Sequence, residues 1–270
     1  MFLSHHSLHH SPMFGGSAPL IDVLDAAASA GFTSMGVDLA SIAASGFETH
    51  LDELGRAFRD RGMRCSDVVV VVVADDPKAT LQSAQRCARA AGELDAPTCV
   101  LAVRDEVEWP LLVATCRESA TMAAGVGARL AVEFLPYSPI ATMEQAMDLC
   151  EAIGWDRAGL LLDSLHVART GTGLDAIRAL NRSQIQLVQL SDAPSARPAD
   201  LVDESRNARL LPGEGGLDLG SFVQAVRSTG YDGDVGAEVL SALLRGRDPA
   251  VVARAVKRAL ETFRIVGRSS

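Results

Sequence analysis

The chain has 270 residues, is 48% hydrophobic and 4% aromatic, and sets 25 basic against 34 acidic residues for a net charge of −9. Its length could hold two domains, but one α/β barrel also reaches it, and the composition suffices for a single large core of Ala, Val and Leu. The acidic balance, with no Lys/Arg run to track phosphates, argues against a nucleic-acid partner. No apolar run approaches the roughly 18 residues of a membrane-spanning helix, which argues against a membrane partner.

The N-terminus shows no basic segment followed by an apolar one, so no secretory signal is recognised. Cys65, Cys87, Cys99, Cys116 and Cys150 have no CxxC spacing and read as small buried thiols. The expectation is a soluble protein of the reducing cytoplasm.

Phe2 to about Ser7 reads as a short strand, followed by a loop rich in His, Ser, Gly and Pro. A helix follows from Pro19 to about Ala30, with Pro19 suited to a first turn and Gly31 to a stop. Phe32 to Leu39 reads as a second strand with Asp38 near its end, then a helix from about Glu48 to Arg61 stops at Gly62. Met63 to Val73 contains six successive valines, Val68 to Val73, a β-branched signal for a central strand.

Asp76-Pro77 opens a helix to about Leu94, and Pro97 to Val103 is the fourth strand. Trp109 to about Val126 is helical, Arg129 to Phe134 is the fifth strand, and a helix over Met143 to Ile153 leads to the sixth strand, Gly159 to Asp163. Leu174 to Leu180 is helical and Ile185 to Leu190 is the seventh strand. Asp192 to Pro212 reads as a long polar loop, of the kind that is usually functional or disordered. A helix over Leu219 to Ser228, an eighth strand over Asp234 to Val239 and a closing helix over Pro249 to Phe263 complete the chain.

Strands alternating with helices in this way imply parallel pairing with crossover helices. A doubly wound sheet would use the same order, but its GxGxxG turn is absent. The expected fold is therefore a (β/α)8 TIM barrel forming a single domain over residues 1–270, with its site at the C-terminal ends of the strands.

Polar residues gather at those ends: Glu133 after strand five, Asp163 and His166 after strand six, Gln189 on strand seven and Glu238 on strand eight. Three carboxylates in a largely apolar setting would repel and take up protons, and a divalent cation reverses that penalty. The donors are mostly oxygen, which favours Mn2+, with Mg2+ or Co2+ as alternatives, over a thiolate-bound structural zinc.

The segments VEFLP (Val132 to Pro136), LLLDSLH (Leu160 to His166), VQLSDAP (Val188 to Pro194), RLLPGEGGLDL (Arg209 to Leu219) and YDGDVGAEV (Tyr231 to Val239) carry a resemblance. They look like the xylose-isomerase-like TIM-barrel superfamily of sugar isomerases, keto-sugar epimerases, inosose isomerases and dehydratases, and 3-dehydroshikimate dehydratases. It covers nearly the whole chain and is most specific after Glu133. The resemblance implies that Glu133, Asp163, Gln189 and Glu238 are metal ligands and that His166 and Arg209 face the substrate. Many epimerases of the group have histidine where this chain has Gln189. Glutamine there, with SRxxRxxPGxG over Ser205 to Gly215, is more similar to 3-dehydroshikimate dehydratases and inosose dehydratases.

The resemblance thus implies a metal-dependent enolising lyase of dehydratase type acting on a small keto-polyol or keto-acid. The alternative within the group is a keto-sugar or cyclitol epimerase or isomerase; outside it, a sugar-binding or scaffold barrel without turnover. An abasic-site endonuclease, also found in the superfamily, needs more histidines and a basic face.

The base is His166, Glu133 or Glu238, and histidine could alternatively serve the leaving hydroxyl. Arg209 is either a substrate anchor or a loop-tethering ion pair. His5 and His6 either line the mouth or are solvated, Asp38 is more structural than catalytic, and Arg104 and Glu106 read as a surface pair. Arg206 and Asn207 sit in a segment that could close over substrate. Phe134, Leu135, Leu165 and Leu211 hint at a mouth less hydrophilic than a free sugar needs, so an aryl or alicyclic substrate, including a 3-keto glycoside, is a live option. Relatives often pair, so a homodimer is compatible with the resemblance.

Overall fold

The computed structural model describes residues 1–263, so residues 264–270 of the expected domain lie outside the described part. Eight parallel strands close a barrel in chain order: β1 (Phe2–His6), β2 (Ser34–Asp38), β3 (Arg64–Val73), β4 (Thr98–Val103), β5 (Arg129–Glu133), β6 (Ala158–Asp163), β7 (Ile185–Leu190) and β8 (Asp234–Ala237). The expected (β/α)8 TIM barrel is the observed fold, a single domain.

Around it run α1 (Leu20–Ser29), α2 (Leu39–Ala44), α3 (Leu51–Asp60), α4 (Pro77–Glu93), α5 (Trp109–Ala124), α6 (Met143–Ile153), α7 (Ser164–Thr170), α8 (Leu174–Arg178), α9 (Leu201–Asn207), α10 (Leu219–Ser228), α11 (Ala242–Arg245) and α12 (Pro249–Glu261). Local chemistry explains their ends. Asp76 caps α4 by accepting from Lys78 N at 2.9 Å, with Pro77 in the first turn. Thr142 and Gln145 form a reciprocal capping box on α6. Gly31 and Gly62, at φ 82° and 64°, supply the left-handed residues after α1 and α3.

The main core lies between the sheet and the helices and includes all five cysteines, each free and buried. A second apolar cluster fills the barrel itself: Leu8, Val69, Val100, Ala131, Leu161 and Leu187. Side chains alternate along a strand. Two residues beyond Ala131, Leu161 and Leu187, therefore, the strands β5, β6 and β7 present Glu133, Asp163 and Gln189 to the same interior. The barrel floor is packed so that the polar groups collect at its mouth.

Three expectations need correction. The segment 192–212 is not a plain loop, because α9 forms within it with Asp200 accepting from Asp203 N at 2.9 Å as its cap. β8 stops at Ala237 rather than Val239, which places Glu238 one residue past the strand, although its N–H still reaches Leu190 O at 3.1 Å. Arg104 pairs with Asp105, at 2.7 Å, rather than with Glu106. Among the described residues, no helix is long and apolar enough to cross a membrane.

Candidate active site and metal centre

Asp163 ends β6 and at once caps α7: its Oδ1 accepts from Leu165 N at 2.7 Å and His166 N at 3.3 Å. This cap explains the DSLH spacing, since an N-cap carboxylate reaches the backbone N–H of the second and third helical residues. His166 therefore stands on the first turn of a helix starting at the mouth. Its Nε2 lies 3.6 Å from Glu133 Oε1. The donor atoms of Glu133, Asp163 and His166 all lie within 4.8 Å of one another, close enough to share one ion.

Gln189 pairs in register with Asp163 on one side and Gly236 on the other, so it occupies the same level of the barrel. It is 2% exposed, and its Oε1 has no protein partner. A buried amide oxygen without a donor is costly and calls for one from outside the protein.

Arg209 is the cation of the site and is 2% exposed. Its Nη1 donates to Asp163 Oδ2 at 2.7 Å and to Glu238 Oε2 at 3.0 Å. Its Nε donates to Ser205 O at 2.7 Å, and Nη2 reaches Ser205 Oγ at 3.1 Å and His166 Nε2 at 3.4 Å. Tyr137, after β5, donates its OH to Ser205 Oγ at 2.8 Å. Neither Tyr137 nor Ser205 is evident as a site residue from sequence; Ser205 opens the SRxxR motif, but no motif marks the tyrosine.

Burial raises Glu133 well above the carboxylate range, and the charges of Glu238 and Asp163 add to it. Burial likewise raises Glu238; Arg209 opposes the rise without cancelling it. Burial works on Asp163 in the same direction, but the Arg209 charge, with His166 and the hydrogen bonds, leaves it below its ordinary value. Burial lowers His166 to about 4, Asp163 and Arg209 acting on it in opposite senses. The imidazole is neutral near pH 7. With Nε2 accepting from Arg209, Nδ1 carries the proton, and that buried atom has no protein partner.

His6 ends β1, but both ring nitrogens are engaged inside the protein. Nδ1 accepts from Leu8 N at 3.0 Å and Nε2 lies 3.0 Å from Asp67 Oδ2. Asp67, its buried partner, sits mid-strand, where no sequence signal marks it. His5 is also buried, with neither nitrogen paired, so neither histidine is solvated. Asp38 takes the structural role, accepting from Ser7 Oγ and Ser11 Oγ at 2.5 and 2.7 Å and from Ser41 N at 2.8 Å.

Glu133, Asp163 and His166, brought together at the C-terminal mouth of a (β/α)8 barrel, form an enzyme-like site whose donor atoms could share one metal ion. The family model for the xylose isomerase-like TIM barrel matches residues 24–262, and the chain belongs to that family. It is 30% identical to a 3-dehydroshikimate dehydratase of Pseudomonas aeruginosa over 83% of this chain and 37% of that protein. It is 29% identical to an inosose isomerase of Bacillus velezensis over 45% of this chain and 43% of the relative. The chain thus spans well under half the length of these curated relatives, both of them enzymes. The IOLI protein, solved with a bound zinc atom, superposes with a TM-score of 0.86 over 97% of this chain and 98% of its own at 18% identity.

Proposed function

We propose that this protein is a divalent-metal-dependent enolising enzyme acting on a small hydroxyketone, with elimination of a β-hydroxyl as its reaction. The observation that carries the reading is the buried Gln189 Oε1, lacking any protein donor, in register with Asp163 among the strand ends that also bear Glu133 and Glu238. In this reading those four residues hold the ion, and their oxygen donors favour Mn2+, with Mg2+ or Co2+ as alternatives. A divalent ion there supplies positive charge that stabilises the oxyanion developing on the substrate carbonyl.

The protein groups do the rest. Glu133, at the end of β5 and 3.6 Å from His166 Nε2, takes the proton from the carbon beside the carbonyl. The proton that Glu133 takes passes to the departing hydroxyl, which His166 orients by a hydrogen bond from its Nδ1–H, and the hydroxyl leaves as water while the carbon–carbon double bond forms. Arg209 holds Asp163 and Glu238 in place and through Nη2 fixes the His166 tautomer. Tyr137 and Ser205 hold Arg209 from the outer side.

The match to a 3-dehydroshikimate dehydratase supports elimination. The match to an inosose isomerase supports the second reading, in which the proton returns to carbon and the product is an epimer or isomer. The test is incubation with Mn2+ and a panel of cyclic and linear hydroxyketones in deuterated buffer. Elimination gives ultraviolet absorbance from a conjugated product. Deuterium incorporation with a silent trace and an inverted or shifted centre assigns the isomerase reading. No exchange with any member removes both.

A further inference from the structure

The mouth of the barrel has two unlike halves. The strands β5 to β7, with the residue after β8, contribute Glu133, Asp163, Gln189 and Glu238, while β3 and β4 contribute Val69 and Ala102. The register fixes this, because Ala102 pairs with Glu133 and Val69 with Asp38. Leu8 and Val69 belong to the apolar cluster inside the barrel, and Phe14 and Val70 are partly buried against it, keeping some exposed surface. Hydrocarbon therefore faces the acidic half.

Three cations beside the mouth are paired with acids, while Arg245, after β8, donates to Arg206 O and Asn207 Oδ1. Arg209 is committed to Asp163, Glu238 and Ser205. Arg169, after β6, forks onto buried Glu204 at 2.7 and 2.6 Å. Arg104, one residue past β4, forks onto Asp105 at 3.0 and 2.7 Å. A substrate carboxylate resting on Leu8, Phe14, Val69 and Val70 would lose its water against hydrocarbon, a desolvation cost that an uncharged ester avoids. A substrate hydroxylated on every carbon would leave hydroxyls unpaired against Leu8, Phe14 and Val70.

We propose that the site selects an uncharged cyclic hydroxyketone whose hydrocarbon face rests on Leu8, Phe14, Val69 and Val70, over a carboxylated or fully hydroxylated one. This rests on the enolising activity proposed above and names the substrate class of that site. The polar edge, a carbonyl with a neighbouring hydroxyl, turns toward Glu133, Asp163, Gln189 and Glu238. The unsubstituted ring carbons turn toward β3 and the β1 loop.

The test uses matched probes on the Mn2+-loaded protein: 3-dehydroshikimate, its uncharged methyl ester, and an inosose. Rates are read as deuterium exchange beside the carbonyl and as product absorbance. The ester is expected to exceed the acid and the inosose by about tenfold or more in kcat/KM, the scale on which one apolar contact discriminates. Phe14→Ser and Val70→Ser should each lower kcat/KM for the ester several-fold, chiefly through KM. Phe14 lies in a short surface turn, so its variant reports even where Val70→Ser fails to fold. Saturation-transfer NMR on the metal-free protein should show the ring CH2 protons receiving saturation. An acid that outpaces its ester, or an inosose that outpaces both, overturns the selectivity while leaving the enolising activity standing. Exchange with none of the three overturns the activity and this inference with it.

Discussion

Arg209 Nη1 lies 2.7 Å from Asp163 Oδ2, with both side chains at 2% exposure or less. The guanidinium is the internal counter-ion of the acidic cluster, for its second carboxylate is Glu238 at 3.0 Å. Removing one partner of a buried pair costs about 3–5 kcal/mol, because the other is left uncompensated. Arg209→Ala should lose that much stability in urea titrations of the metal-free protein. Excess Mn2+ should return part of it, since a ligand at a hundred times its Kd adds about 2.7 kcal/mol to the folded state. A variant as stable as the parent without metal would show that the cluster is not held by Arg209.

His166 is close enough to Glu133 and Asp163 to be a ligand, yet the proposed chemistry needs it free. His166→Ala should retain stoichiometric metal after dialysis, measured by plasma emission, while turnover falls by roughly 10²–10⁴, the worth of the proton transfer that it orients. Gln189→Leu, which removes an oxygen at similar volume, should lose the metal. If His166→Ala empties the site and Gln189→Leu does not, the two residues exchange roles.

The barrel was legible because its strands are unbroken apolar runs such as residues 160–162 and 68–73, each ended by turn residues and followed by a helix. Glu133, Asp163, Gln189 and Glu238 were legible because strand ends converge once the fold is known. The short helices were not. Asp38 and Asp163 read as strand-end carboxylates, whereas each also caps a helix of six or seven residues begun without any loop. The pairing of His6 with Asp67 was hidden because its partners are 61 residues apart and inside the barrel. Arg209 could be assigned to substrate or to an ion pair from sequence; only its burial among two carboxylates shows where its N–H groups go.

His5 makes acid stability testable. Burial lowers its pKa to about 3, with His10 and His6 adding to the fall, and its ring packs 4.7 Å from His9 and 5.2 Å from Phe32. The unfolded chain takes a proton near pH 6.5, whereas the native ring refuses it until about pH 3. The stability associated with this group is thus fully present above pH 6.5 and is lost as pH falls through that window, by about 1.4 kcal/mol per pH unit. His5→Phe keeps the ring contacts and removes the protonation. Between pH 6 and pH 4 its urea midpoint should decline less than that of the parent; parallel declines would mean that His5 is not the acid-sensitive group.

Asp192 organises the segment that delivers Arg209. Its backbone bonds with Leu210 in both directions, at 3.0 and 2.8 Å, and its carboxylate accepts from the N–H groups of Ala193, Gly213, Gly215 and Leu217. A Cβ on Gly215 would stand 2.3 Å from Asp192 Oδ1 and 2.5 Å from Ala193 O, the second a backbone atom that cannot swing aside. Gly215→Ala and Asp192→Ala should therefore both release the turn, each costing about 1–3 kcal/mol as buried donors lose their acceptor. Amide exchange over residues 211–218 should rise in both. Gly220→Ala is the control, because only Asp218 Oδ1, at 3.8 Å, lies near and α10 gains from losing a glycine. Unchanged exchange in Gly215→Ala would show that the turn accommodates the methyl and that Asp192 does not fix the approach of Arg209.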